Sequence, residues 1–305
     1  MSGAVLDGKK INQDILAELR PRVEALRAKA RAPALAVVLV GDDPASQIYV
    51  RNKIKACQEL GIRSLDSTPD GSISTQDLFE LICRFNNDPQ VDAILVQSPL
   101  PKHIDERQIL LAVNPAKDAD GFHPFNVGSL VANRPAPRAC TPAGIIEMLK
   151  RYQVPIAGKR AVVVGRSDIV GKPMALMLLH ENATVTICHS KTRDLAAECR
   201  RAEILVAAIG KPALITREHL SPGVVVVDVG MNRVTDEAEV RRLFGHDERR
   251  MAAFAKNGTT LVGDVEPLAM QELSAAYTPV PGGVGPLTIA MLMANTVQLA
   301  EQHLG

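Results

Sequence analysis

No charge of one sign dominates this chain. Its 35 lysines and arginines oppose 34 aspartates and glutamates, a formal net charge of +1, which removes any global electrostatic case for a nucleic acid or an anionic membrane as partner and leaves only local basic clusters. Cysteine is scarce: Cys57, Cys83, Cys140, Cys188 and Cys199 are odd in number and scattered, without a C-x-x-C pair. That pattern speaks against a disulfide frame or a zinc site and predicts reduced thiols in the cytoplasm, with no metal. Long apolar runs are missing too. The opening "MSGAVLDGKKINQDI" has lysines and an aspartate where a signal peptide needs an uninterrupted apolar core. The most apolar stretch, "PLTIAMLMANTVQLA", is too short for a membrane span and holds Asn295 and Gln298, so it predicts a packed helix. No repeat or low-complexity segment is found.

What is present is a rhythm. At 305 residues the chain exceeds the usual single core, so two domains are expected. "INQDILAELRPRVEALRAKA" reads as a helix interrupted at Pro21, "ALAVVLV" as a strand, and "ASQIYVRNKIKACQELG" as a helix closed by Gly61. "STQDLFELICRFNN" follows as a helix with Ser74 or Thr75 as cap, then "VDAILVQ" as a short buried strand. The second half repeats the pattern: helix "TPAGIIEMLKRY", strand "RAVVVG", helix "GKPMALMLLHEN", strand "TVTIC", helix "TRDLAAECR", and strands "EILVAAIG" and "GVVVVDVG". Val/Ile/Leu runs without alternation are what strands look like when helices cover both faces of a parallel sheet. The fold class is therefore α/β, in two lobes. The boundary is expected near "NRPAPRACTP", residues 133–142, where three prolines break both periods.

In the second lobe, "AVVVGRSDIVGKP" puts Gly165 at the end of a strand and Gly171 at the head of a helix, the setting in which a dinucleotide pyrophosphate meets free backbone amides. It departs from G-x-G-x-x-G, since Ser167 replaces the second glycine and the last comes one residue late. A plain strand-to-helix turn is the alternative. The next strand ends in His189, Ser190, Lys191, Thr192 and Arg193, where an NAD site usually offers a carboxylate to the ribose. A basic, hydroxyl-rich turn suits a 2′-phosphate and points to NADP; read alone, the same residues could be helix caps. Gly210 and Gly230 end two further strands at the carboxyl edge where open α/β sheets bind ligands. Tyr49 and Lys53 lie four residues apart, on one face of a helix. Spacing alone fits an ordinary amphipathic face as well as a substrate contact.

The blocks "YVRNKIKACQELGI", "ILVQSPLP", "KDADGFHPFNVG", "CTPAGI", "VVVGRSDIVGKP", "CHSKT", "VDVGMN" and "TPVPGGVGPLTIAML" stand in the order and spacing of the bifunctional methylenetetrahydrofolate dehydrogenase/methenyltetrahydrofolate cyclohydrolase family, which the chain resembles over nearly its whole length. One segment departs from it: "VGDVEPLAM", residues 262–270, where the family often reads G-D-V-D and then an aromatic. It is expected to lie away from the catalytic blocks.

The resemblance implies two α/β lobes around a cleft, the second a Rossmann-like NADP-binding domain with a mostly parallel sheet. Residues 1–139 would form the catalytic, folate-binding domain, residues 140–285 the cofactor domain, and the last helix, 286–305, would pack back on the first. Lys53 is then the acid/base group of the cyclohydrolase step, polarised by Gln97, while Asp120 accepts hydrogen bonds from the pterin and Tyr49 stacks on the folate ring. Acid/base work by a lysine needs part of its population neutral, which a dry site and a cationic substrate favour. Ser98, Pro99 and the run Pro281, Gly282, Gly283, Val284 and Gly285 would line the tetrahydrofolate site. By the same correspondence Arg166 and Ser190 contact the 2′-phosphate of NADP, Gly165, Ser167, Ile169 and Val170 the pyrophosphate region, and Met231 the nicotinamide through its backbone. The family is typically a homodimer. The chain leaves no room for the formyltetrahydrofolate synthetase domain that some relatives carry, so that activity is expected to be absent. Two rivals remain at this point: another two-lobed NADP oxidoreductase resembling shikimate dehydrogenase, and a non-catalytic NADP sensor, which would have no use for Lys53, Gln97 and Asp120 together.

Overall fold

In the computed structural model, which describes residues 3–245 and 247–305, the chain divides into two compact units. One comprises Asn12–Cys140 and Thr288–Gly305, the other the chain up to Ile11 and Thr141–Leu287. In chain order the elements are β1 (Ala4–Val5), α1 (Gly8–Lys29), β2 (Ala34–Val38), α2 (Pro44–Leu60), β3 (Arg63–Ser67), α3 (Thr75–Asn87), β4 (Ala93–Val96), α4 (Glu106–Ala112) and α5 (Pro124–Val131). They continue with α6 (Cys140–Arg151), β5 (Arg160–Val164), α7 (Gly171–His180), β6 (Thr184–Cys188), α8 (Leu195–Arg200), β7 (Ile204–Ala207), β8 (Val225–Asp228) and β9 (Asn232–Val234). The last are α9 (Glu237–Phe244), α10 (Glu248–Asn257), β10 (Thr260–Val262), α11 (Pro267–Leu273), β11 (Ala276–Tyr277) and α12 (Val284–Leu304). Among the described residues no helix is long and apolar enough to cross a membrane.

The first unit is built on a three-stranded parallel sheet ordered β3-β2-β4, with Ala36 opposite both Leu65 and Ile94. A parallel bridge from Ile94 to Asp118 adds a short segment beside β4. Strands β2 and β4 are buried along their whole length, as apolar strands covered on both faces must be. Ala36, Val38, Ile94 and Val96 pack there with Leu78 and Ile82 of α3 and Ile109 of α4. The Ser74 hydroxyl caps α3 by accepting from the Asp77 N–H at 3.0 Å, and Gly61 closes α2 at φ 76°. Helix α1 runs straight through Pro21 rather than breaking there. The proline sits on the exposed face, where water can take up the carbonyl it frees, while Ile15, Leu19, Val23 and Leu26 hold the other face in the core. Helix α12 is tied to this unit by the fork of Arg22 on Glu301, at 2.9 and 2.7 Å.

The second unit holds a six-stranded sheet ordered β6-β5-β7-β8-β11-β1, parallel throughout. Counted from β5, the first five follow the order two-one-three-four-five, so the topological switch falls between β5 and β7. Pro142, counted above among helix breakers, lies in the first turn of α6, where a missing N–H costs nothing. One boundary departs from expectation. Residues 3–11 belong to this unit and not, as a 1–139 domain would have it, to the first: β1 pairs with β11 through Ala4 to Ala276 and Val5 to Tyr277, and Leu6 is buried behind it. Strands of two residues carry no period from which to read them. The charged stretch after Gly230 is an antiparallel β9–β10 pair with α9 and α10 between its strands and a small core of Val234, Val240, Leu243, Phe244, Phe254 and Val262.

Candidate active site

In the first unit the carboxyl edge of the sheet ends in reactive side chains. Helix α2 follows β2, and its start is fixed by Asp43, whose carboxylate accepts from the Ser46 N–H at 2.7 Å. Three turns on, Lys53 is buried while Tyr49, one turn before it, is 42% exposed. Gln97 stands directly after β4, where its N–H prolongs the ladder to the Val38 carbonyl at 2.8 Å. The Lys53 ammonium donates to Gln97 Oε1 at 3.0 Å. The Gln97 amide nitrogen is used in turn, donating to the Ser98 carbonyl at 2.6 Å, so the amide oxygen is the end presented to the lysine. Ser98 is anchored through its hydroxyl to Glu106 at 2.5 Å, and Pro99 follows it across a cis peptide bond.

Asp120 reaches the same edge at the end of the segment bridged to β4. Burial pushes its carboxyl above the usual range, the Lys53 charge opposes that rise, and Asp118 adds to it. Residues that sequence reasoning missed hold this segment in place. Asp118, next but one, is buried and accepts from the N–H groups of Gly121 and His123 at 3.0 and 2.8 Å and from the Asn126 amide at 2.9 Å. The Asn295 amide donates to the carbonyls of Ala119 and Arg138 at 2.8 and 2.9 Å, and the Cys140 thiol lies 3.8 Å from Asp120 Oδ1. In "DADG" one aspartate is thus structural and the other is presented at the edge; the turn signal of Asp before Gly concerns the chain around them both.

In the second unit the carboxyl edge ends in glycines and backbone. Gly165 follows β5 at φ 126°, and a Cβ there would stand 2.1 Å from the Ala208 carbonyl oxygen on the neighbouring β7 connection. Only glycine fits that conformation and that contact. Gly171 fills the place of the late third glycine: its missing side chain lets α7 close to within 2.4 Å, measured from an imagined Cβ, of the Gly165 oxygen. Ser167, in the place of the second glycine, accepts from the N–H groups of Val170 and Gly171 at 3.2 and 3.3 Å. Arg166, Ser167 and Ile169 are exposed along this turn and Val170 is half-buried. Beside it, at the end of β6, the Thr192 hydroxyl accepts from the His189 N–H at 2.8 Å and His189 Nδ1 from the Lys191 N–H at 3.1 Å. That leaves Ser190, Lys191 and Arg193 exposed as a cationic, hydroxyl-bearing corner. Its donor set fits a phosphate and not a ribose diol, so these residues fit NADP.

Met231 follows β8, 40% exposed. Its Cε lies 3.6 Å from where a Cβ on Gly285 would stand, which brings the 281–285 run and the β8 connection together within one unit. Of that run, Val284 is buried and starts α12. A cavity of 510 Å³ in this unit is lined by Asp228, Arg250, Val262, Tyr277 and Val280 among others and includes none of the expected substrate or cofactor residues. The segment 262–270, expected to lie away from the catalytic blocks, does not. Asp264 is fully buried, accepts from the Asn232 amide at 2.9 Å and donates its N–H to Asp228 Oδ1 at 2.8 Å, so it adjoins the block "VDVGMN"; it also accepts from the N–H groups of Ile209, Gly210 and Lys211 in the β7 connection. The departure itself is local: Glu266 stands before α11 with Pro267 as its first residue.

Comparison with known proteins bears on both units. Residues 6–120 match the catalytic domain, and residues 139–304 the NAD(P)-binding domain, of tetrahydrofolate dehydrogenase/cyclohydrolase. The chain is 60% identical over 301 residues to the bifunctional protein FolD of Solibacter usitatus, covering 99% of this chain and 98% of that one. It is 58% identical to that of Koribacter versatilis over 305 residues, covering 100% and 99%. Among solved structures, the bifunctional FolD methylenetetrahydrofolate dehydrogenase/cyclohydrolase of Campylobacter jejuni superposes with a TM-score of 0.89 at 42% identity, covering 99% of each chain. The Trypanosoma brucei enzyme, solved with NADP and an inhibitor, gives 0.88 at 36% identity, covering 99% and 98%. The chain belongs to the tetrahydrofolate dehydrogenase/cyclohydrolase family.

Proposed function

We propose that this protein is a bifunctional one-carbon folate enzyme that oxidises 5,10-methylenetetrahydrofolate to 5,10-methenyltetrahydrofolate with NADP and hydrolyses the product to 10-formyltetrahydrofolate. The observation that carries the reading is the buried Lys53 ammonium held at 3.0 Å by Gln97 Oε1 beside Asp120. In the hydrolysis, water adds its oxygen to the methenyl carbon and gives up a proton; the bond from that carbon to N5 then breaks as the new hydroxyl gives up its remaining proton to become the formyl oxygen, N5 takes one proton, and one proton is released overall. Lys53 moves the proton from water and returns one to N5. Gln97 holds the lysine through a neutral oxygen, which orients the amine without adding a charge. Asp120 accepts hydrogen bonds from the pterin, Tyr49 stacks on the ring, and Ser98, Pro99 and residues 281–285 line the substrate.

The oxidation asks less of side chains. NADP, when bound, supplies the hydride acceptor. Nitrogen lone pairs in the substrate expel the hydride, so the protein abstracts no proton and its task is alignment. Arg166 and Ser190 hold the 2′-phosphate, Gly165, Ser167, Ile169 and Val170 the pyrophosphate, and the Met231 backbone the nicotinamide. We read the chain as a cytoplasmic homodimer; five free thiols fit a reducing compartment, and sedimentation of the purified protein tests the dimer.

The test of function is one time course with methylenetetrahydrofolate and NADP, following reduced cofactor and methenyl absorbance together. Cofactor reduction with little methenyl build-up beyond the uncatalysed control is expected. Reduction with accumulating methenyl product overturns the hydrolytic half, no reduction overturns the whole, and faster initial rates with NAD overturn the cofactor preference.

A further inference from the structure

We propose that two buried carboxylates, Asp264 and Asp228, are positioning residues of the cofactor site, fixing from behind the connections that follow β7 and β8. Asp264 Oδ2 accepts from the N–H groups of Ile209 and Gly210 at 2.5 and 2.9 Å, and Oδ1 from the Lys211 N–H at 3.0 Å and the Asn232 amide at 2.9 Å. Four donors fill the four lone-pair directions a carboxylate has. Asp228 Oδ1 accepts from the N–H groups of Gly230 and Asp264 at 2.9 and 2.8 Å, and Oδ2 from Val265 at 2.9 Å. The second carboxylate therefore holds the backbone of the first.

Two glycines make room for the pair. A Cβ on Gly230 would stand 2.4 Å from Asp264 Oδ1, and one on Gly263 would stand 1.8 Å from Asp228 Oδ2. Burying two carboxylates side by side is costly. Here that cost is met by ordering backbone: six of the seven donors just named are main-chain N–H groups of the 209–211, 230 and 264–265 segments. Those segments touch what the cofactor would touch. The β7 connection begins at Ala208, whose carbonyl packs on Gly165, and the β8 connection carries Met231 immediately after Gly230. Asp264 and Asp228 present no atom to the reaction; they set where the backbone stands before the cofactor arrives, which is where preorganisation lowers the cost of binding.

The inference rests on the reading of this sheet edge as the NADP site, and the experiment separates the two. Asp264→Asn keeps the shape but turns an amide donor towards N–H groups that need an acceptor. Hydrogen exchange of the unliganded protein is expected to show faster exchange at residues 209–211. Fluorescence titration is expected to show NADPH binding weakened about tenfold or more, with KM for NADP raised about as much and kcat lowered less. Faster exchange with unchanged NADPH affinity and KM would make the carboxylate merely structural and overturn the proposal. Wild-type protein that does not bind NADPH overturns the cofactor reading itself. If Asp264→Asn does not fold, Asn232→Ala removes a single donor to Asp264, and about threefold weaker NADPH binding is expected; unchanged binding overturns the proposal in that form.

Discussion

The two units solve the same topological problem and end it differently. Each is a parallel sheet in which one strand lies inside, between the two that follow it in the chain: β2 between β3 and β4 in one, β5 between β6 and β7 in the other. In both the switch point opens at the carboxyl edge, where open α/β sheets take ligands. The first unit ends its edge in side chains that can move protons or accept hydrogen bonds, Lys53, Gln97 and Asp120. The second ends its edge in Gly165, Gly171 and Gly230 and spends its carboxylates, Asp228 and Asp264, on holding backbone. On the function proposed above, one edge makes and breaks bonds and the other receives a large ligand on its main chain, and a chain with both needs only one set of reactive side chains.

The sharpest way to break that comparison is Lys53→Met. If the first edge carries the chemistry, hydrolysis of supplied methenyltetrahydrofolate falls by about 100-fold or more, the size expected for loss of a positioned acid/base group. Dehydrogenase turnover falls much less, because that step needs no protein base. Native hydrolysis in the variant would remove Lys53 from the mechanism.

Next in size is a pH effect on stability in the second unit. Burial pushes the Asp228 carboxyl up to about 7, the nearby Asp264 charge adds to the rise, and N–H donors from Asp264, Val265 and Gly230 oppose it; Asp247, Glu248, Arg249 and Arg250 line the same 510 Å³ cavity. The folded pKa lies above the unfolded value, so between the two the folded state holds a proton that the unfolded state has lost. The contribution is stabilising, is complete below the unfolded pKa, and disappears as pH rises through about 7. Denaturant unfolding at pH 5 and pH 8 should differ by about 3 kcal/mol from this group, with the lower pH more stable. Asp228→Asn should flatten that difference; an unchanged slope would assign it elsewhere.

Gly165→Ala comes third. The added methyl would meet the Ala208 carbonyl and sit at φ 126°, so about 1–3 kcal/mol of stability is expected to go. NADP binding should weaken with it, and the ratio of dehydrogenase to cyclohydrolase activity should fall. An unchanged ratio would mean that the two edges are not separable in function.

How much of this was legible beforehand follows from what kind of signal each part leaves. The buried parallel strands and their covering helices were readable because burial on both faces writes itself as unbroken Val, Ile and Leu. The glycine turn at Gly165 was readable because backbone conformation restricts residue type, although the displaced third glycine made sense only once Gly171 was seen packed on the Gly165 carbonyl. Lys53, Gln97 and Asp120 are different. From spacing alone they were a helix-face lysine, a strand-end glutamine and a turn aspartate, and only the resemblance put them together; the Lys53 to Gln97 contact spans 44 positions of sequence. β1 with β11 and the Asp228–Asp264 pair left no local signal at all. Their partners lie far off in the chain, and a carboxylate that binds main chain looks like any other Asp before or after a glycine.

The smallest predicted effect is the most specific. Ser74 and Ser167 do the same local work, each accepting from backbone N–H groups at a helix start: Ser74 from Asp77 at 3.0 Å, Ser167 from Val170 and Gly171 at 3.2 and 3.3 Å. Replacing either by alanine removes hydroxyl hydrogen bonds to backbone N–H groups at a helix start, worth about 1 kcal/mol, so the two variants should lose similar stability. Their kinetics should differ. Ser74 stands at a helix start that offers nothing to a ligand, so Ser74→Ala should leave both activities as they are. Ser167 stands in the turn that leads into α7, where its hydroxyl, proposed above to meet the pyrophosphate, fixes the turn that would receive it, so Ser167→Ala should also raise KM for NADP severalfold while hydrolysis of supplied methenyltetrahydrofolate holds. Equal kinetics in the two variants would mean that the second edge does not meet its ligand at this turn, and the contrast between the two edges would then rest on Gly165 and the carboxylate pair alone.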